Sequence, residues 1–524
     1  MSKSSLNPLD SQVALEKFIV VIAHAGAVAG NAPSVADAVA FAHDALGGDA
    51  RALALVRSLA CALAYLDSEL TKDSNILEEE ALATAAANRV ILPIQNMRLQ
   101  ALIDVIETDG HGSTVCPVQS CESKSHSRGR LRRSFLGCHG TMIVTVRHSI
   151  CQNPVCRHHF SPACDHLHLS NGQFTPGCAE LVTKLSATLP HGKAVKFLGD
   201  LLQVDVSSHA AQDLSQVRGE TLLACDLAAA AVHDPYDNKG FEREYGRPVD
   251  AVPAKDAPKV AYLEIDGVFP MTREKNAEKS HEVAGARGGK GCKYDMEGRE
   301  VKNAVLYKAS DQAEEMPSRG CILNRRYVSY LGNCKVFGLL VWLMILKMRF
   351  DQAKLLVVLS DGAEWIRTLA DWLPMDNRVL LILDFFHAVH RVGDLARAIY
   401  GDNTEMCRRK AKMWKEVIEE GHVAMLIDDF KTMHDSRPSV QKIIDELVVY
   451  FENNKDRMNY PIYKAAGLRY TSGIVESANF NVTGARLKQQ GMRWGEKGAR
   501  EMAHLRADLC NDRWSERTRQ LLAA

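Results

Sequence analysis

Two aspartates follow apolar segments whose composition is typical of buried β-strands. Residues 355–360 read LLVVLS and lead into Asp361, and residues 260–268 read VAYLEIDGV, in which Asp266 and Gly267 close the apolar run. Each aspartate is followed by Gly, which indicates a turn directly after the strand. A carboxylate at the end of a buried strand can present its oxygens to a hard divalent cation, so both aspartates are candidate metal ligands.

A third acid, Glu476, follows Ser472 and Gly473 at the start of a segment with helical spacing. Taken singly, an Asp-Gly pair is an ordinary turn, and a glutamate in the first turn of a helix complements the helix dipole. Two strand-borne aspartates and a later helical glutamate are, together, the oxygen ligands that two Mg²⁺ or Mn²⁺ ions about 4 Å apart require. Such a pair of ions catalyses phosphoryl transfer, because one activates the attacking oxygen and the other stabilises the leaving oxygen.

Two cysteine pairs with four intervening residues, Cys116 with Cys121 and Cys151 with Cys156, flank a strand-like segment at 141–150. Four thiolates on tight turns suit tetrahedral Zn²⁺, and a closed site with four protein ligands is structural. The alternative is that these residues are ordinary free cysteines. Further candidate ligands are Cys138, His139, Cys164 and His166.

The formal net charge of the chain is zero, but its basic residues are concentrated in two segments. Residues 116–160 contain seven Lys and Arg against one acid, and residues 484–524 contain nine against five. Such an excess favours contact with a phosphate backbone, although basic runs are also common on solvated faces. The candidate DNA contacts in these segments are Arg130, Arg132, Arg133, Lys488, Arg493 and Trp494.

Three helical patterns lie between the cysteine segment and the acidic segments, at 177–189, 192–202 and 207–218. Their lengths and the turn before the third predict a helix-turn-helix that would contact double-stranded DNA. Ser207 or Ser208 would cap the recognition helix, and both are candidate DNA-binding residues. A plain three-helix bundle is the alternative.

The chain is too long, at 524 residues, for a single core. Strands that alternate with helical segments after residue 259 predict an α/β core, in which the apolar segment 330–348 is a buried helix. Trp414 is expected in the packing of a helical insertion, with stacking on an unpaired base as the alternative. The predicted divisions are 1–110 (N-terminal helical region), 111–170 (zinc-ribbon-like module), 171–233 (helix-turn-helix-like module), 234–258 (linker), 259–390 (core), 391–468 (helical insertion) and 469–524 (C-terminal helices with Glu476).

No apolar run reaches the length of a membrane span, and residues 1–12 lack the apolar segment of a signal peptide. We therefore expect no membrane partner. The 14 cysteines are expected in a reducing compartment, where they stay free or bind metal.

Six motifs occur in an order that resembles the ISKra family of bacterial insertion-sequence transposases. They are LEIDGV, LSDGAEWI, ILDFFHA, SGIVESA, ARLKQQGMRWGEKGA and HLR, and the resemblance extends from Cys116 to Arg506. It implies a multidomain α/β protein of the DDE type, with a ribonuclease-H-like catalytic core and a helical insertion. The implied function is metal-dependent cleavage at the ends of an insertion sequence followed by strand transfer. It would be carried out by a homodimer on double-stranded DNA in the bacterial cytoplasm, associated with the nucleoid.

The resemblance also implies roles for individual residues of this chain. Asp266, Asp361 and Glu476 would hold two Mg²⁺ or Mn²⁺ ions. Asp384 and His387 occupy the place where related DDE groups carry a Cys-x-x-His motif, which implies a supporting role near the metals. The alternative is that Asp384 only caps the following helix. Two other functions stay open: a ribonuclease-H-like nuclease or resolvase without strand transfer, and a domesticated DNA-binding regulator with an inactive core.

Overall fold

The computed structural model describes residues 76–108, 115–118, 120–169, 173–202, 204–234, 248, 251–276, 293–312, 322–512, 514 and 517–518. The helices predicted before residue 76 and most of the predicted linker lie outside these residues. The chain divides into two compact units. Unit one comprises the chain through Thr183 together with His191–Ala211, and unit two comprises Lys184–Pro190 together with the chain from Gln212 onward. The finer divisions predicted from the sequence stay predictions.

Unit one is built on a helix and a three-stranded antiparallel sheet. Its elements before residue 170 are α1 (Ile76–Thr108), β1 (Ser125–Gly137), β2 (Gly140–Cys151), β3 (His159–Phe160) and α2 (Pro162–His166). The strand order is β1-β2-β3. Phe135, Val144 and Val146 of the sheet share one apolar cluster with Ile103 of α1. Burial of these side chains holds α1 against the sheet.

The strand predicted at 141–150 is confirmed as β2, but its hairpin partner β1 is not visible in the sequence pattern. β1 reads SHSRGRLRRSFLG, and every residue from His126 to Ser134 is exposed. No alternation of apolar and polar residues therefore marks it as a strand. It forms because its backbone pairs with β2, with Arg132 opposite Thr145, and ladder hydrogen bonds do not depend on side-chain type.

Three helices occupy the positions predicted for a helix-turn-helix: α3 (Pro176–Thr188), α4 (His191–Leu202) and α5 (Ser208–Val232). Ser207 caps α5, since its hydroxyl accepts a hydrogen bond from the backbone amide of Ala210 at 3.1 Å. The predicted end of α5 at Arg218 is wrong, because the sequence that follows is rich in Ala and Leu and contains no Pro. A role for these helices in reading DNA stays a prediction.

Unit two contains a five-stranded mixed sheet and a separate two-stranded ribbon. The elements are β4 (Val260–Val268), β5 (Met271–Asn276), β6 (Lys293–Gly298), β7 (Val301–Lys308), β8 (Arg326–Leu331), β9 (Leu355–Ser360) and β10 (Val379–Leu383). β5 and β6 form the ribbon, and the order across the larger sheet is β10-β9-β4-β7-β8. β7 is antiparallel to both β4 and β8, whereas β4, β9 and β10 are mutually parallel. The carboxyl ends of β4, β9 and β10 therefore meet at one edge of the sheet.

Both faces of the large sheet are buried, which accounts for the continuous apolar runs of its strands. Leu263 and Ile265 of β4 belong to the cluster that contains α6 (Cys334–Met348), and Tyr262 belongs to the cluster on the other face. α6 is apolar on nearly all sides, as expected of a helix within a core.

The apolar segment predicted as one helix at 330–348 is in fact the end of a strand followed by a helix. β8 ends at Leu331, Gly332 has a φ of +148°, and the Asn333 side chain caps α6 by accepting a hydrogen bond from the amide of Lys335. The prediction was wrong at its start because Tyr330 and Leu331 suit a strand as well as a helix, and the turn decides between them. Among the described residues, no helix has both the length and the apolar character needed to span a membrane.

Helices make up most of the rest of unit two. They are α7 (Glu364–Trp372), α8 (Phe385–Tyr400), α9 (Glu405–Glu419), α10 (Val423–Thr432), α11 (Pro438–Asn454), α12 (Tyr460–Ala465), α13 (Gly473–Ala478), a π-helix (Asn479–Gly484), α14 (Ala485–Leu487) and α15 (Glu496–Cys510). The helical stretch predicted from residue 391 begins earlier, because Asp384 caps α8 directly after β10. Trp414 is 1% exposed and meets Phe430 edge-on, so its predicted role in core packing is confirmed.

Candidate metal centres

The four cysteines predicted to bind zinc lie together at one end of the β1–β2 hairpin. Their sulfur atoms are all within 4.8 Å of one another. The Sγ atoms of Cys116 and Cys156 are 3.8 Å apart, and those of Cys121 and Cys151 are 3.4 Å apart. A tetrahedron with Zn–S bonds of about 2.3 Å has sulfur atoms about 3.8 Å apart, so the cluster fits Zn²⁺.

Hydrogen bonds to the sulfur atoms support the same interpretation. The backbone amide of Asn153 donates to Cys151 Sγ at 3.4 Å, and its side-chain amide donates to Cys121 Sγ at 3.5 Å. Hydrogen bonding by Ser123 lowers the pKa of Cys121 to about 6, whereas burial raises the pKa of Cys151 to about 12. Donors around the sulfurs stabilise thiolates, which are the form that binds metal.

None of the four alternative zinc ligands joins this cluster. Cys138 is hydrogen-bonded to Cys178, which lowers the pKa of Cys138 to about 7. His139 Nδ1 lies 2.9 Å from the side-chain oxygen of Asn88. Cys164 is buried in the apolar cluster under β2, and burial raises its pKa to about 11. His166 is exposed in α2.

Asp266 and Asp361 lie side by side at the edge where the parallel strands end. In the register of β4 and β9, Ile265 is opposite Ser360. Asp361 follows directly after β9, whereas Asp266 lies within β4, which continues through Gly267 to Val268 with no turn after the aspartate. Burial raises the pKa of Asp266, and the negative charge of Asp361 raises it further. Two carboxylates that repel one another in a partly buried place fit a cation between them, because a cation relieves both costs.

The turn after Asp361 requires glycine. Gly362 has a φ of +94°, and a Cβ atom at this position would lie 2.8 Å from Leu383 Cδ1. The chain can therefore turn sharply after the strand, and Asp361 accepts a hydrogen bond from the backbone amide of Ala363 at 3.0 Å. The Tyr450 hydroxyl donates to the backbone oxygen of Asp361 at 2.9 Å and fixes the same turn.

Glu476 lies on α13 with an exposed side chain. Among the described residues, the four cysteines form a group of potential ligands whose sulfur atoms lie within 4.8 Å of one another. The carboxylate oxygens of Asp266, Asp361 and Glu476 do not form such a group. In a two-metal site the outer ligands bind different ions about 4 Å apart, so they lie farther from one another than the ligands of a single ion. The third ligand position of Glu476 stays a prediction.

Two buried carboxylates, Glu264 and Asp384, hold α13 in place, and Glu264 is not among the residues predicted from the sequence. Glu264 is fully buried, accepts a hydrogen bond from the Val475 amide at 2.9 Å and another from the Tyr307 hydroxyl at 2.5 Å. Burial raises the pKa of Glu264 to about 7. Glu264 lies two residues before Asp266, so the two side chains are on the same face of β4. This spacing could have identified Glu264 from the sequence.

Asp384, the other buried carboxylate, caps α8 as the alternative prediction states. Its Oδ1 accepts a hydrogen bond from the amide of His387 at 2.7 Å, and its Oδ2 accepts one from the amide of Ser472. Asp384 thus joins the start of α8 to the residue before α13. His387 is half-buried, and its charge acts on Asp266 in the direction that lowers the pKa of that carboxyl.

A second missed residue, Asn479, contacts Asp266 directly. Its side-chain amide donates to Asp266 Oδ2 at 2.6 Å, and the backbone amide of Gly267 donates to Oδ1 at 2.7 Å. Asn479 follows Glu476 by three residues, a spacing that places both on neighbouring positions of one helical surface and could have identified it.

Some of the candidate DNA-binding residues bond to other residues of the protein, and others are exposed to solvent. Arg130 is paired with Glu107 at 2.7 Å, whereas Arg132 and Arg133 are exposed along β1. Ser208 is exposed at the start of α5.

Near the C-terminus, Lys488 and Arg493 are exposed, but Trp494 is held in place. Its indole donates to the backbone oxygen of Leu487 at 3.1 Å, and the Arg486 guanidinium lies over its ring at 4.8 Å. The contact of these residues with DNA stays a prediction.

No protein-family model matches this sequence, and no curated protein sequence matches it. Among solved structures, the "Drosophila P element transposase strand transfer complex" is similar over 69% of this chain and 84% of that chain. The sequence identity is 9% and the TM-score is 0.25. A similarity of this size does not establish a shared fold or activity.

Proposed function

We propose that this chain is a DDE-type DNA transposase whose acidic strand edge catalyses cleavage and strand transfer with Mg²⁺ or Mn²⁺. The observation that carries the proposal is the position of Asp266 within β4 and of Asp361 directly after β9, on adjacent parallel strands. The anchoring of α13, which carries Glu476, by the buried Glu264 supports it. The strand order with β4 at its centre supports the ribonuclease-H-like core that the motif resemblance implies.

In this proposal Asp266, Asp361 and Glu476 hold two divalent cations, which supply Lewis-acid activation of the attacking and leaving oxygens. A water oxygen forms a bond to the scissile phosphorus while the bond to the 3′ oxygen breaks, leaving a 3′ hydroxyl and a 5′ phosphate. That hydroxyl then attacks a phosphate of the target strand in line and displaces the target's own 3′ oxygen from the phosphorus, so one phosphodiester bond forms as another breaks. Asp384 and His387 position α8 beside the carboxylates.

The remaining modules would bind the ends of the element. The zinc-ribbon-like hairpin exposes Arg132 and Arg133, and α5 exposes Ser208 at its start. Lys488 and Arg493 would contact the phosphate backbone near the acidic edge, as part of a homodimer that joins two DNA ends. The phosphate contacts of Lys488 and Arg493 would release counterions from the DNA, so the affinity is expected to fall as the salt concentration rises.

Replacing Asp361 with Asn is expected to lower metal-dependent cleavage of a supercoiled plasmid that carries the flanking genomic ends by at least about a hundredfold, because one cation loses an anionic ligand. DNA binding, measured by fluorescence anisotropy, is expected to stay unchanged. The matched control is Asp371→Asn, which alters an exposed aspartate of α7.

Equal cleavage by wild type and Asp361→Asn would contradict the site. Cleavage without joining of the ends to target DNA would favour a nuclease or resolvase. Salt-sensitive binding with no cleavage by wild type would favour a DNA-binding regulator.

A further inference from the structure

Asp266 is the first member of a chain of side-chain hydrogen bonds that extends into the sheet. Asn479 donates to Asp266 Oδ2 at 2.6 Å, and the Asn479 side-chain oxygen accepts from the Asn303 amide at 2.7 Å. The Asn303 oxygen in turn accepts from the hydroxyls of Ser329 at 2.5 Å and Thr483 at 2.9 Å. Asn303 is 2% exposed and lies opposite Asp266 in the register of β4 and β7.

Asp266 determines which group donates and which accepts in each hydrogen bond of this series. An ionised carboxylate can only accept hydrogen bonds, so Asn479 must present its amide nitrogen to Asp266 and its oxygen to Asn303. Asn303 must then present its nitrogen to Asn479, which leaves its oxygen for the two hydroxyls. Each member has at least one hydrogen-bond partner, and the mutual bonds of such a network favour a single arrangement of its side chains.

The π-helix at Asn479–Gly484 brings two members of the network together. Asn479 at its first residue and Thr483 near its end both contact the Asn303 side chain. A Cβ atom on Gly484 would lie 2.9 Å from the backbone oxygen of Asn479, so the local backbone suits glycine. Short π-helical turns occur frequently at functional sites.

We infer that Asn479, held by Asn303, is a positioning residue that fixes the Asp266 carboxylate for metal binding and ties it to the segment that carries Glu476. This inference rests on the proposed function. An ionised carboxylate offers about four lone-pair sites. Asn479 and the Gly267 amide take one on each oxygen, which leaves a site on both oxygens for a cation beside Asp361.

The first measurement is the Kd of the full chain for Mn²⁺, obtained by titration at constant ionic strength with electron paramagnetic resonance as the readout. The second is the rate of plasmid cleavage as a function of Mn²⁺ concentration. Asn479→Ala is expected to raise the Kd for Mn²⁺ about tenfold, in the range typical of groups that orient metal ligands. Thr483→Val removes one hydroxyl but keeps the shape, and a rise of about threefold is expected from loss of one neutral hydrogen bond.

Asn481→Ala is the matched control, because the Asn481 side chain is exposed and its amide donates locally, to the backbone and hydroxyl oxygens of Ser477 at 2.9 and 3.1 Å. Its Kd is expected to equal that of wild type. Saturating Mn²⁺ is expected to restore most of the cleavage rate of Asn479→Ala, since the ligands themselves remain.

An unchanged Kd for Asn479→Ala, or an equal rise for Asn481→Ala, would overturn the inference while leaving the proposed function intact. If Asn479→Ala does not fold, Thr483→Val decides: a Kd equal to that of wild type would overturn the inference. The proposed function itself would fail if Asp361→Asn bound Mn²⁺ as wild type does.

Discussion

Replacing Cys151 with Ser is expected to abolish zinc binding and to unfold the three-stranded sheet formed by β1, β2 and β3. Cys151 is 2% exposed, and its sulfur lies 3.4 Å from that of Cys121. A structural Zn²⁺ site contributes on the order of 10 kcal/mol to folding, and a neutral Ser hydroxyl is a poor replacement for a thiolate ligand. β1 has few buried apolar side chains, so little else holds it on β2.

The measurement is zinc content per chain by elemental analysis, combined with hydrogen exchange of the β1 and β2 amides. Wild type treated with a strong chelator is expected to show the same fast exchange in β1 as Cys151→Ser. Cys225→Ser, which alters an exposed cysteine of α5, is the control and is expected to retain zinc and protection. A Cys151→Ser protein with full zinc content would show that the cluster is not the zinc site.

Replacing Glu264 with Gln is expected to remove much of the pH dependence of the stability of unit two. Burial raises the pKa of Glu264 from 4.5 to about 7 in the folded chain. The folded state therefore binds the proton more tightly than the unfolded state, and the free energy of unfolding falls as pH rises from about 4.5 to about 7. The fall amounts to about 3 kcal/mol and is complete above the folded pKa.

Gln at this position keeps the native contacts without the titration. Its side-chain oxygen can accept the hydrogen bond of the Val475 amide, and its nitrogen can donate to the Tyr307 hydroxyl oxygen. We therefore expect Glu264→Gln to be more stable than wild type at pH 8, by up to about 3 kcal/mol, and close to wild type near pH 5.

Urea unfolding followed by tryptophan fluorescence measures this difference. All six tryptophans lie in unit two, so the fluorescence reports on that unit alone. Glu419→Gln, on an exposed face of α9, is the control and should keep the wild-type pH dependence. Parallel pH curves for wild type and Glu264→Gln would show that Glu264 does not titrate in this range.

Sequence pattern alone predicts those strands of unit two whose residues are mostly apolar. β4 at Val260–Val268 and β9 at Leu355–Ser360 match their predicted positions, because burial on both faces favours β-branched and large apolar residues along most of each strand. β1 and the start of α6 could not be predicted in the same way. The first depends on its partner strand, and the second depends on a turn at Gly332.

The sequence by itself also determined which residue types could bind metal and where they lie on their elements. It identified Asp266 and Asp361 at strand ends and four cysteines in two pairs, because local composition and spacing mark these features. It left eight potential zinc ligands open. The tertiary structure selected four of them by bringing Cys116 and Cys156 together across the hairpin.

Only the tertiary structure decided the surroundings of the acidic edge. Asn479 and Asp266 are separated by 213 residues, and Val475 and Glu264 by 211, so no local pattern links either pair. The burial that raises the pKa of Glu264 depends on elements from both ends of unit two packing over one strand. Contacts of this kind depend on the packing of the whole unit, so they cannot be predicted from the local sequence pattern.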